Sequence, residues 1–408
     1  MLLSQGANAQ VPWWLFPGSP QSKDTLKTRT DTLRAGPDTL RAGIDSLRAL
    51  KDSLLQEAAP VDTFSLDIPD VMNIALLLPV KSASQKPSAN FLEYYCGALM
   101  AVRDLGLQGL VINLTAVDTG SGLDAATEAI LEKSDVLIGP VTSSEILELH
   151  GRLPEGKYII SPVEPKAAGL ADSLRVIQAP VPWMNQIDRL VAWAEAETAP
   201  QDAVVLLRDN SEQTPSEQTE YLVRKLEESS LDFKTVYSTT MEGFHMTNGA
   251  VRFFVASDRD IFLCSAINNI ANMASRKGVD AVLYSTSKIR SLEGMNATSP
   301  HLASARITSA YNIDYEDEAI RAFILDYRAF FRTEPSSFAF SGYDTVTYFA
   351  KACAKYGRQW YKKLSVNPGR GLQTDFKFDD CLFGAGAVNT AVRRVLYNPD
   401  LSMTLLQQ

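Results

Sequence analysis

From Val71 onward, short apolar runs alternate with amphipathic stretches, and this alternation predicts repeated strand-helix units. VMNIALLLPV (Val71 to Val80) opens the series as a wholly apolar strand. LVINLTAVDTG (Leu110 to Gly120), DVLIGPVTSSE (Asp135 to Glu145) and KYIISPVEP (Lys157 to Pro165) follow it. Continuous apolar strands of this kind are buried on both faces, as in parallel sheets covered by helices. A second series begins near Val181. PWMNQIDRLVAWAEAE (Pro182 to Glu197) has helical apolar spacing, AVVLLRDN (Ala203 to Asn210) is a buried strand, and EYLVRKLEESS (Glu220 to Ser230) is a helix. DFKTVYST (Asp232 to Thr239), VRFFVASDRDIFLCSAI (Val251 to Ile267) and DAVLYST (Asp280 to Thr286) continue it, and ITSAYN (Ile307 to Asn312) is a strand preceding the late helices. Two α/β lobes of similar plan place a cleft between them, a common site for small molecules. After the second and third strands of the first series, a Gly/Ser/Thr loop runs straight into a helix. Free N–H groups at such helix N-termini receive anions, so the pattern points to binding before chemistry.

The segment before Val71 is different. Asp-Thr/Ser-Leu recurs every seven residues from Asp24, Asp31, Asp38, Asp45 and Asp52, but Gly36, Pro37 and Gly43 interrupt any helix. Leu26, Leu33, Leu40 and Leu47 supply one apolar position per heptad, where a stable seam needs two. A solvated tether over residues 10–68 is the expectation, contributing nothing to a core. Ala7-Asn8-Ala9 has the small-x-small form that precedes export cleavage, so residues 1–9 are expected to be a signal-peptide remnant.

Composition narrows the function classes. The 408 residues exceed what one core usually supports. The net charge of -9 and the lack of a basic stripe argue against a nucleic-acid partner. No apolar run approaches the roughly 18 to 20 residues of a membrane span. Cys96, Cys264, Cys353 and Cys381 form no CxxC pair, and one disulfide among them stays open. His150, His245 and His301 sit in unrelated segments without metal-ligand spacing, so no metal and no cofactor are expected.

Two enzyme signatures fail on context. Val117-Asp118-Thr119-Gly120-Ser121 matches the aspartic-protease motif, but it occurs once and at a strand-to-helix junction, where those enzymes are all-β. Asp118 reads better as a strand-end cap. Gly120-Ser121-Gly122 with Ala125 fits a dinucleotide pattern, but it follows the second strand and lacks the acidic residue about twenty positions on. Asp118, Glu164, Asp209 and Asp258 stand near strand ends, and nothing pairs them for acid–base work. No catalytic residue is expected.

The order ALLLPV, FLEYYCGALMAVRDLG (Phe91 to Gly106), AVDTGSGLDAATEAI (Ala116 to Ile130), IGPVTSSE, IISPVEP resembles the type I periplasmic-binding-protein family that includes leucine-binding proteins. AFILDYRAFFRTEPSSFAFSGYDTVTYFAKACAKYG (Ala322 to Gly357) is similar to that family's late helix, Gly-Tyr-Asp signature and following helix. GLQTDFKFDD with GAVNTAVRRVLY (Gly371 to Tyr397) resembles its closing hairpin, in the version found in exported LysM-associated relatives. The resemblance implies an α/β fold of two Rossmann-like lobes, parallel sheets flanked by helices, joined by a hinge and closing on a ligand. Lobe 1 is expected over 69–180 and 310–385, lobe 2 over 181–309 and 386–408. Carried over residue by residue, Thr142, Ser143 and Ser144 would hold a ligand carboxylate, Ser161, Val163 and Glu164 would line the next loop, and Asp209 would face them from lobe 2. Glu164 beside the anion site, and the amides lost at Pro162 and Pro165, depart from an amino-acid site; simple helix capping is the other reading of Thr142 to Ser144. The implied function is an exported solute-binding protein for a small polar, amino acid-like or other anionic or zwitterionic ligand, partnered by a membrane permease or envelope protein. The alternative is an envelope interaction module of the same fold, for example in peptidoglycan synthesis.

Overall fold

The computed structural model describes residues 66–406 apart from 124, 164–166, 240–248 and 380–385, with the side chains of 125, 126 and 277 also set aside. Residues 68–408 belong to one compact unit. The export and tether expectations, and Glu164 and Cys381, fall outside the described residues, apart from the tether's last three.

The first series folds as β1 (Met72–Leu78), α1 (Ala89–Leu107), β2 (Ile112–Asp118), α2 (Ala125–Lys133), β3 (Val136–Ile138), α3 (Ser143–His150), β4 (Ile159–Ser161), α4 (Ala168–Ala171) and β5 (Val176–Gln178). The second runs α5 (Trp183–Glu197), β6 (Ala203–Arg208), α6 (Glu217–Glu228), β7 (Phe233–Val236), β8 (Val251–Ala256), α7 (Asp260–Lys277), β9 (Ala281–Thr286), α8 (Ser299–Leu302) and β10 (Arg306–Ser309). Then come α9 (Glu318–Phe331), α10 (Ser337–Tyr356), β11 (Gly369–Arg370), β12 (Asp375–Phe376), β13 (Ala387–Val388), β14 (Arg393–Tyr397) and β15 (Met403–Leu406).

Two sheets result. The first, in order β13-β5-β4-β3-β1-β2, is parallel throughout. β1 lies inside it, and its residues divide between two cores: Ile74, Leu76 and Leu78 face α1 and α10, while Ala75 and Leu77 face α2 and α3. That two-sided burial is why its sequence is continuously apolar. The second sheet, β15-β14-β10-β9-β8-β6-β7, is parallel except that β14 and β15 run antiparallel at its edge.

The late helices return to the first sheet. α10 packs along α1 at backbone contact: a Cβ on Gly97 would lie 1.8 Å from the Ala339 carbonyl oxygen, and one on Gly342 would lie 2.0 Å from that of Tyr94. Only glycine lets the two helices approach so closely.

The chain crosses between sheets three times, through Ala179 to Pro182, Ala310 to Asn312, and Asn389 to Val392. Buried side chains bind the crossings together. Arg393, 1% exposed, donates to the carbonyl oxygens of Asn312 (2.5 Å), Leu372 (3.0 Å) and Gly371 (2.7 Å) and to Asp375 Oδ1 (2.6 Å). Asp344, of the Gly-Tyr-Asp run, accepts from the backbone N–H groups of Leu372, Gln373 and Thr374. The expected lobe boundary at 386 needs correction. Ala387 pairs with Ile177 and Val388 with Gln178, so this short strand completes the first sheet and the passage to lobe 2 follows it. Among the described residues of 371–397, Phe378 and Asn389 form an isolated antiparallel bridge, while β13 joins the first sheet and β14 the second, so the stretch is not one closing hairpin.

Candidate functional site

In both sheets the strand order reverses beside the first strand of the series, between β1 and β3 and between β6 and β8. Crevices at such reversals, outside the carboxyl ends of the strands, are where open α/β sheets bind ligands. Thr142 to Ser144 follow β3 and Ser161 ends the neighbouring β4, whereas Asp209 follows β6 in the other sheet.

Thr142 caps α3 in a reciprocal box: its Oγ1 accepts from the Glu145 N–H at 3.3 Å and donates to Glu145 Oε2 at 2.6 Å, while its own N–H reaches that oxygen at 3.1 Å. Ser144 Oγ lies 3.2 Å from Thr142 Oγ1. The hydroxyls of Ser143 and Ser161 are buried with no hydrogen-bond partner among the described residues. Asp118 closes the same rim. It accepts from the N–H groups of Lys81 (2.9 Å), Ser82 (2.6 Å) and Gly120 (2.9 Å) and from the Ser82 hydroxyl (2.6 Å). Partial burial opposes its ionisation, but these donors hold the carboxyl below its ordinary range. The aspartate of the protease-like motif is thus a staple between the loops after β1 and β2.

The second rim is equally self-satisfied. Asp209, buried, accepts from the Ser211 N–H (3.0 Å), the Ser211 hydroxyl (2.6 Å) and the Ser257 hydroxyl (3.1 Å), with Arg259 Nη1 at 3.3 Å. Burial pushes its pKa up, and the serines and Arg259 more than offset this, leaving it below the ordinary carboxylate value. Asp258 takes the Ser216 and Thr219 hydroxyls at 2.6 and 2.8 Å, with Lys288 3.8 Å away. Arg259 and Lys288 remain half-exposed at this rim.

Where the crossings meet, a cavity of about 270 Å³ opens between the ends of β4, β5 and β10 and the start of α10. Among the described residues of the expected set, Val163 alone lines it. Ser337, Ser341 and Thr345, at successive turns of α10, give it a hydroxyl stripe, and Gln373 and Thr374 add an amide and a fourth hydroxyl. Tyr311, Phe338, Phe376 and Pro162 form apolar walls. Gln373, 1% exposed, donates through Nε2 to Ser337 O (2.8 Å) and Ser341 Oγ (2.7 Å), while its Oε1 is buried without a partner among the described residues. No described residue lining this cavity is charged. Sequence reasoning missed Ser337, Ser341 and Thr345, whose i, i+4, i+8 spacing on one helix face could have marked this wall; nothing local marks Gln373. Among the described residues no cluster of His, Cys, Asp or Glu could hold a metal ion, and no helix is long and apolar enough to cross a membrane.

No family model and no curated protein matches the sequence. Solved structures do match. A putative branched-chain amino acid ABC transporter from Rhodospirillum rubrum overlays with a TM-score of 0.54 at 12% identity, across 82% of this chain and 100% of that one. The C-domain of LpoA from Haemophilus influenzae, described as a regulator of PBP1A, gives 0.50 at 10% identity, across 82% and 100% of the two chains. A longer LpoA structure from the same organism gives 0.53 at 11%, across 91% of this chain and 66% of that one. The two sheet orders, the three crossings and these overlays together show that the chain has the type I periplasmic-binding-protein fold.

Proposed function

We propose that this protein is an exported binding protein, not a catalyst, and that it captures a small polar molecule where the crossings meet. The buried Oε1 of Gln373, unpartnered among the described residues, in the wall of this cavity carries the reading. A buried acceptor left unpaired costs about 1 to 3 kcal/mol, which a ligand N–H or O–H would relieve. Among the described residues the lining offers no cation for a carboxylate and no anion for an ammonium group, and burying either unpaired costs several kcal/mol. The part of the ligand inside the cavity is therefore neutral and polar, with any carboxylate left to the rim, where Arg259 and Lys288 stand. Ala7-Asn8-Ala9 supports export, and a membrane permease or envelope protein would receive the ligand. Calorimetric titration with leucine, glutamine and glucose tests this. Binding of glutamine or glucose that weakens at least about tenfold in a folded Gln373→Met variant is the expected result; flat traces with all three would overturn it.

A second reading, an envelope interaction module, is favoured by the overlay on LpoA across 91% of this chain and by the internal satisfaction of Thr142 and Asp209. It predicts that the parent protein binds a peptidoglycan synthase in a pull-down and that Gln373→Met leaves this capture unchanged.

A further inference from the structure

A second cavity, of about 470 Å³, lies on lobe 1 between the start of α9, the outer side of α10 and the turn from Asn367 to Leu372. It shares Phe376 with the crossing cavity but sits on the other side of the Asp344 turn. Its walls are held in place: Tyr348 donates its hydroxyl to Asn367 O at 2.7 Å, and Asp344 grips the backbone from Leu372 to Thr374.

The polar inventory of this cavity is one-sided. Its carboxylates are already engaged, Asp344 by three backbone N–H groups and Asp317 by the Ala319 N–H at 2.8 Å and Arg370 at 3.5 Å. Its donors are not. Among the described residues, exposed Lys351 has no partner for its ammonium, buried Thr347 Oγ1 has none, Asn367 uses its carbonyl groups and has none for Nδ2, and Arg370, 60% exposed, has the long contact to Asp317. The α9 N-terminus adds the positive end of a helix dipole. Between these donors lie the apolar surfaces of Ile320, Tyr348 and Phe376. We infer that this cavity is a binding site for a small molecule carrying an anionic oxygen group, carboxylate or phosphate, on an apolar body. The anionic oxygens take Lys351, Thr347 and Arg370, and the body covers the aromatic wall.

The test is calorimetric titration of the full chain with phenyl phosphate and with benzoate, using benzyl alcohol as the uncharged counterpart. Saturable binding of at least one anion, at least tenfold tighter than benzyl alcohol, is expected, and the tighter anion identifies phosphate or carboxylate as the natural group. The Lys351→Gln, Arg370→Gln double variant, altered only at exposed positions, should weaken that binding at least fivefold, and Thr347→Val should weaken it in the same direction. Gln373→Met, which acts on the crossing cavity, should leave it unchanged. Anions that bind no better than benzyl alcohol, or that bind the double variant as tightly as the parent, would overturn the assignment.

Discussion

The side-chain nitrogen of Asn389 donates to the carbonyl oxygen of Ala179 at 2.8 Å, tying the third crossing to the first across 210 residues of sequence. The same nitrogen donates to Asp375 O at 2.8 Å, and Oδ1 accepts the N–H groups of Lys377 and Ala391, each at 3.0 Å. Asn389 is completely buried, so no water replaces these partners when it is removed. Asn389→Ala should lower unfolding free energy by about 3 kcal/mol, since several buried backbone groups lose their partner at once. Urea denaturation measures this, and a loss under about 1 kcal/mol would show that the crossings do not depend on it.

Asp344 should give the fold a pH dependence of known sign. Burial pushes its carboxyl up to about 6, against the pull of the three turn amides and Arg393. The folded state thus holds this proton more tightly than the unfolded chain, whose aspartates titrate near about 3.9. Its contribution to stability is full below about pH 4 and is lost as pH rises through 6. The unfolding free energy of the parent minus that of Asp344→Asn should therefore fall by about 2 kcal/mol between pH 4 and pH 7. A difference that is flat or rises over that window contradicts the assignment.

Contact between α1 and α10 should tolerate no side chain at its closest point. Gly342→Ala puts a methyl group 2.0 Å from the Tyr94 carbonyl oxygen, and separating the helices should cost about 2 kcal/mol or more. Gly106→Ala, on the same α1 with nothing within 4 Å, should be neutral or mildly stabilising. Thermal unfolding of the pair settles it: equal melting temperatures would mean that the close approach is not needed.

Thr142 and Ser143, adjacent in sequence, should respond oppositely. Thr142→Ala removes a capping box and should cost about 1 kcal/mol. Ser143→Ala removes a hydroxyl that is buried without a partner among the described residues and should cost nothing measurable or add stability. Comparable losses in both would mean that the Ser143 hydroxyl has a partner in solution.

Fold was legible in the sequence wherever burial was continuous. The run from Met72 to Leu78 is apolar because both of its faces are covered, and Gly-Tyr-Asp stood out through the resemblance, with Gly342 at the α1 contact and Asp344 buried two residues on. Short, non-local elements were not legible. β13 is only Ala387 and Val388, and what makes it a strand is the edge of β5, about two hundred residues earlier. The binding surface followed the same division. Thr142 could be named as a cap or a ligand group from its position before a helix, and its reciprocal bond to Glu145 accounts for it. Gln373 could not be found, because its burial depends on α10 and the second crossing, which meet only in three dimensions.

The placement of β13, β14 and β15 bears on the order in which the protein can be made. On a ribosome, every residue from Met72 to Ser309 emerges before the segment from Ala387 to Leu406 exists, yet that segment supplies an edge strand to one sheet and two to the other. Neither half can complete its sheet during synthesis, and the buried Arg393 and Asn389 that lock the crossings arrive with the same late segment. Final docking is therefore a step taken after translation has passed Leu406.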